Sequence, residues 1–133
     1  MFNKASKPNN RIDSLIGAGT VIEGNVAFSG GLRIDGEVKG NVRANDGQPG
    51  TLVISELARV DGEVRVSHLV INGAVNGPIS SSDYLELQPK ARIVGDVEYA
   101  AIEMHLGAIV LGRLIHHGAG LKSVELKLAT SGQ

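Results

Sequence analysis

The chain has 133 residues, no Cys and no Trp, and its 13 basic and 14 acidic residues leave a net charge of -1. That length suits one domain around one hydrophobic core, the near-neutral balance gives no reason to expect a nucleic-acid partner, and the missing thiols exclude disulfides and thiolate metal centres. With two Phe, two Tyr and 18 Gly, the core must be mainly Val, Ile and Leu, carried on short strands joined by tight turns.

In chain order, the first segment is MFNKASKPNNR. It lacks the apolar centre of a signal peptide, and no run in the chain approaches the roughly 18 apolar residues of a membrane span. A cytosolic protein is the simplest expectation, one that can touch a membrane from inside. Residues 1–14 are expected to form a flexible tail. Met1 and Phe2 offer an apolar tip, and Lys4, Lys7 and Arg11 follow it, a combination suited to an anionic leaflet.

From residue 15 onward one pattern recurs: an apolar residue, any residue, Gly, any residue, a second apolar residue. It occurs at Ile22-Gly24-Val26, Ile34-Gly36-Val38, Val38-Gly40-Val42, Val60-Gly62-Val64, Ile71-Gly73-Val75, Val75-Gly77-Ile79, Ile93-Gly95-Val97 and Val110-Gly112-Leu114. Taking Gly24, Gly40, Gly62, Gly77, Gly95 and Gly112 as one glycine per copy, the steps are 16, 22, 15, 18 and 17 residues, the longest containing the insertion NDGQPG at 45–50. LVISELARVDGEV at 52–64 also aligns with LELQPKARIVGDV at 85–97. An array of about six units outranks any local motif.

In RIDGEVKGNVRA at 33–44 the even positions are apolar or glycine and the odd ones charged or polar, the period of a strand with one wet face. A unit of about 17 residues holds three strands of four to six residues, so the units are expected to stack as a parallel β-solenoid of about six rungs over residues 15–115. At the corners an inward Cβ is expected to strike the neighbouring wall, so Gly stands there while Val or Ile two residues away fills the interior. A β-sandwich is the competing fold, but it does not require the same glycine-centred unit at every turn.

The chemistry-bearing residues form no catalytic constellation. The histidines are His68, His105, His116 and His117, and the terminal pair, without nearby paired carboxylates, reads as a solvated loop rather than a metal site. Asp35, Glu37, Arg59, Asp61, Glu63 and Arg92 alternate with core residues and read as a solvated wall with cross-rung ion pairs. GAG at 17–19 lacks the Lys and Ser or Thr of a phosphate loop. No catalytic, cofactor-binding or metal residue is assigned. A hexapeptide-repeat acyltransferase is the enzymatic alternative, since Ile16, Ile22, Phe28 and Ile34 fall six apart, but Gly40 and Asp46 break the period and the early coils have no His.

GTVIEGNV, LRIDGEVKGNV, ARVDGEV, LVINGAVNG and ARIVGDV, in this order over roughly 16–115, resemble the bactofilins, bacterial cytoskeletal proteins. The resemblance implies a right-handed β-helix that polymerises without nucleotide or other cofactor into nonpolar filaments. It also implies attachment to the inner face of the cytoplasmic membrane through an N-terminal segment like the one holding Met1, Phe2, Lys4 and Lys7. There such a protein acts as a scaffold for cell-shape or envelope-building proteins, including cell-wall enzymes. The family often carries an aromatic near the C-terminal end of the helix, and this chain has none after Tyr99.

The ends of a solenoid are rungs of unpaired N–H and C=O groups over an open core, usually covered by polar repeats or a helix. Here Leu15, Ile16, Val21 and Ile22 follow only a polar tail, and Met104, Leu106, Ile109, Leu111, Leu114 and Ile115 make the last unit strongly apolar. Leu15, Ile16, Ile22, Met104, Leu106, Ile109, Leu114 and Ile115 are therefore the expected polymerisation interface, with a second copy of the chain as partner. The remaining tail, 116–133, alternates as a strand at Val124, Leu126 and Leu128 and as a helix stripe at Leu121, Val124 and Leu128, which leaves a cap, a partner motif and a disordered end as open readings. A filament-forming scaffold, a β-helical enzyme and a monomeric binding module are the three functional classes this sequence admits.

Overall fold

The computed structural model describes residues 11–117, in which every regular element is a strand. The first turn is β1 (Ser14–Ile16), β2 (Val21–Glu23) and β3 (Val26–Phe28), and the second is β4 (Gly30–Ile34), β5 (Glu37–Lys39) and β6 (Val42–Ala44). The third runs through β7 (Gly50–Ile54) and β8 (Arg59–Asp61) into the first half of β9 (Val64–Ile71). The rest of β9, β10 (Ala74–Asn76) and the first half of β11 (Ile79–Leu87) make the fourth; the rest of β11, β12 (Arg92–Val94) and β13 (Val97–Tyr99) make the fifth. The sixth is β14 (Ile102–Met104), β15 (Ile109–Leu111) and β16 (Leu114–His116). All pairings are parallel and join each strand to its equivalent one turn away. The result is a single-domain β-solenoid of six turns and three walls.

Register turns the sequence repeat into columns. Ile16, Ile34, Ile54, Ile71, Leu87 and Met104 stack in the first wall, Ile22, Val38, Val60, Val75, Ile93 and Val110 in the second, and Val26, Val42, Val64, Ile79, Val97 and Leu114 in the third. β-Branched side chains pack well in such a pleated, half-buried surface. Alternation sends the intervening residues outward, among them Arg33, Arg43 and Arg65.

The corner glycines form two kinds of column, and the reason for glycine differs from the sequence expectation. A Cβ on Gly40, Gly62, Gly77, Gly95 or Gly112 would press into the carbonyl of the same glycine one turn earlier. The obstacle is thus the preceding rung, met along the solenoid axis, and Gly40, Gly62, Gly77 and Gly95 are half-buried rather than interior. Gly36 and Gly73 are buried, at tight corners set against the longer turns 17–20 and 55–58 of the preceding rung. Gly24 begins its column and has nothing near its absent Cβ.

Side chains just after the glycine column reinforce the stack. Asn25 Oδ1 accepts the Asn41 N–H, Asn41 Oδ1 accepts the Glu63 N–H, and Asp96 Oδ1 accepts the Arg113 N–H, at 2.9, 2.9 and 3.0 Å. The wall charges pair differently from the cross-rung expectation. Asp35, Asp61 and Glu63 meet Arg33, Arg59 and Arg65 of their own turn, because residues two apart in a strand share a face. Arg113 with Asp96 is an ion pair between adjacent rungs of the kind expected.

Candidate functional site: the two ends of the solenoid

Along each inward column, burial is complete in the middle and fails at the end. Val42, Val64 and Val97 are fully buried, whereas Leu114 in the same column is 46% exposed. Ile34, Ile54, Ile71 and Leu87 are fully buried, whereas Met104 is 45% exposed. At the other end Ile16, Ile22 and Val26 are only half-buried. Among the described residues β1, β2 and β3 pair only with the second turn, and β14, β15 and β16 only with the fifth, so each end presents one row of backbone groups without a strand partner.

The outer positions of the end turns are also unusual. Leu15 occupies the register position of Arg33, Ile109 that of Arg92, and Ile115 that of Glu98. Leu15 and Ile109 are exposed and Ile115 is half-buried; Val21 and Leu111 are exposed as well. Leu106, in the turn between β14 and β15, is 96% exposed. The expected interface residues therefore fall into two sets. At the first turn Ile16 and Ile22 belong to the open core with Leu15 on its apolar rim; at the sixth Met104 and Leu114 belong to the open core, and Leu106, Ile109 and Ile115 form the rim. Covering a half-exposed side chain of this kind contributes about 1 kcal/mol. Met1, Phe2, Lys4 and Lys7 lie outside the described residues, as does the stretch 118–133.

His116 ends β16 rather than lying in a loop: its Nε2 is 3.0 Å from the Ala100 carbonyl and its ring lies 5.5 Å from that of Tyr99. The grouping that the sequence did not display is on the first wall. His105 Nε2 lies 2.9 Å from Glu86 Oε2 and 3.3 Å from Glu103 Oε2. Tyr84 donates its hydroxyl to Glu103 Oε1 at 2.6 Å, which pushes the phenol pKa up to about 12. Glu86 precedes Glu103 by one full turn and His105 by two residues more, a spacing that becomes visible as a contact only once the register is known.

A parallel β-solenoid with an open apolar core at both ends defines a class of stackable structural modules. The particular family is the bactofilins: the family model, described as polymer-forming cytoskeletal, matches residues 14–115, and the chain belongs to that family. It is similar to Bactofilin BacO of Myxococcus xanthus (strain DK1622), with 29% identity over 102 residues that make up 77% of this chain and 78% of BacO. It is also similar to Bactofilin BacP of the same organism, with 26% identity over 109 residues, 82% of this chain and 44% of BacP. No solved structure matches. Bactofilins are structural, and no helix among the described residues is long and apolar enough to cross a membrane.

Proposed function

We propose that this chain is the subunit of a cytoskeletal scaffold that assembles end to end into filaments without nucleotide, metal or other cofactor. The observation that carries the reading is the contrast within single columns: the same inward position is closed in turns two to five and open in turn six. Stacking a second copy on that end covers the core, and the hydrophobic gain needs no chemical fuel. The apolar rims, Leu15 at the first turn and Leu106, Ile109 and Ile115 at the sixth, widen the surface a partner copy can cover. Sedimentation and negative-stain microscopy of purified protein, with and without ATP or GTP, test it. Filaments that form equally in both conditions support it, and a monomer at every concentration overturns it.

The same reading places these filaments at the inner face of the cell membrane, held by Met1, Phe2, Lys4 and Lys7, where they recruit cell-shape or envelope-building proteins such as cell-wall enzymes. Its support is the apolar and basic N-terminal sequence together with family membership. Partial insertion of Met1 and Phe2 supplies about 3 kcal/mol, and each basic residue near an anionic leaflet roughly 1 kcal/mol. That holds a monomer weakly. A filament presents many tails at once, so that attachment after the first is effectively intramolecular.

A further inference from the structure

We propose that Glu86, Glu103 and His105 form a binding site for a divalent transition-metal ion of the Zn²⁺ type, bridging the fifth and sixth turns. The backbone makes the site in two steps. Alternation along the chain puts Glu103 and His105, two residues apart, on the same outward face. Parallel register then sets Glu86 directly beside Glu103 in the adjoining strand. The three donors come within 4.8 Å of one another.

Three features favour an ion there over a plain surface cluster. Two carboxylates stand in register on neighbouring strands, where like charges directly opposite are destabilising and a bound cation would offset the repulsion. The donor set is mixed, one imidazole nitrogen and two carboxylate oxygens, which suits Zn²⁺ and not Mg²⁺ or Ca²⁺. Zn–N and Zn–O bonds of about 2.0–2.2 Å at tetrahedral angles leave ligand atoms about 3.3 Å apart; the observed separations from His105 Nε2 are 2.9 and 3.3 Å. Two of the three separations thus lie close to the tetrahedral value, and the third is within 4.8 Å.

The surroundings also hold the ligands. Tyr84 fixes Glu103 through Oε1 and leaves Oε2 toward the imidazole, and Gln88 Nε2 lies 3.4 Å from Glu86 Oε2. Hydrogen bonds of this kind orient metal ligands and tune affinity. His105 and Glu103 are partly exposed, so an ion can enter, and three protein donors leave a fourth position for water. Such an ion would tie β14 to β11 at the end of the solenoid. Filament formation itself does not require it.

Isothermal titration of the full chain with ZnCl₂ tests the site, using His68→Ala and the double variant His116→Ala/His117→Ala as controls for the other imidazoles. The expected result is one saturable site that keeps its affinity in both controls. It should weaken at least tenfold in His105→Ala and Glu103→Gln, and about tenfold in Tyr84→Phe, which removes only the outer hydrogen bond. Co²⁺ should give a visible absorption band that His105→Ala abolishes, read on protein whose far-UV spectrum is unchanged. If His105→Ala does not fold, Glu86→Gln carries the same test. No saturable Zn²⁺ binding, binding that survives loss of His105, or displacement by a hundredfold excess of Mg²⁺ would each overturn the assignment.

Discussion

The third and sixth turns carry the same column positions and behave as different materials. Val60 and Val64 are closed off from water, and the outward neighbours of these strands are Arg59, Asp61 and Arg65. In the sixth turn Val110 is half-buried and Leu114 lies open, and outward positions next to them hold Ile109, Leu111 and Ile115. Distance from a free rung edge decides which residue is core and which is interface. A solenoid is quasi-one-dimensional, each turn contacting only its neighbours. Among the described residues its last turn is therefore a middle turn with a neighbour on one side only.

The sharpest way to break this comparison is to place the same charge in both turns. Val64→Arg buries an unpaired guanidinium in a closed column, a loss of several kcal/mol, and is expected to abolish the cooperative β-sheet signal in circular dichroism. Leu114→Arg puts it at the end of the same column, where water can reach it in the free subunit. It should preserve the fold and remove the pelletable fraction in sedimentation. Filaments of Leu114→Arg would mean that the sixth turn is not an interface. A folded Val64→Arg would mean that the columns are not closed.

The membrane reading extends the comparison to the N-terminal segment. Phe2→Glu should leave filament assembly intact while cutting co-sedimentation with anionic liposomes by about tenfold or more. Assembly-blocked Leu114→Arg should bind the same liposomes poorly despite its unaltered segment. Undiminished binding by Phe2→Glu filaments would dismiss the segment as anchor, and tight binding by the monomeric variant would dismiss avidity.

The repeat was legible because stacking demands it: Ile34, Val38 and Val42 announce three inward positions, and the glycine column marks one corner of every turn. The six turns and both apolar ends follow from those residues. Direction at the corners was less legible. Glycine at 62 reports that a side chain is forbidden, but whether the obstacle is the opposite wall or the rung before depends on the axial stack. The Glu86–Glu103–His105 group was hidden for a related reason, since its members are joined by register and a linear reading finds no carboxylate pair beside His105. The ion pairs of Asp35 and Asp61 lie within a turn rather than across rungs, because Arg33 and Arg59 stand two residues away in sequence.

A moderate effect separates the first turn from the third at the glycine column. Gly24 and Gly62 have φ of +139° and +156°, a region that L residues rarely adopt, so an Ala at either carries strain of about 1 kcal/mol or more. Gly62→Ala additionally drives its Cβ into the Gly40 carbonyl, and overpacking of this kind costs a further 1–3 kcal/mol, roughly. Gly24→Ala meets open space. Thermal melting of non-assembling protein, in a Leu114→Arg background, should show the larger fall for Gly62→Ala. Equal falls would remove the axial carbonyl as the reason for glycine.

The smallest effect concerns the ion pair that ties the last turn down. Asp96 accepts the Arg113 guanidinium and its backbone N–H, each at 3.0 Å, and the guanidinium contact first, then the N–H, holds the carboxyl below the ordinary Asp value of 3.8. A carboxyl with a lowered folded-state pKa stabilises the fold above the unfolded value and loses that contribution as pH falls through the folded one. The contribution is thus intact near neutrality and disappears below about pH 4. Both groups are largely solvated, so screening keeps it small. Asp96→Asn retains an amide oxygen for the Arg113 N–H and removes only the charge. In the Leu114→Arg background its melting temperature should lie slightly below that of the parent at pH 7, and the gap should narrow as pH falls below about 4. Half-molar salt should close it at pH 7 as well. A gap that stays constant from pH 7 to pH 3 would assign the effect to packing at Asp96 and leave the sixth turn held by its backbone ladder and its apolar columns.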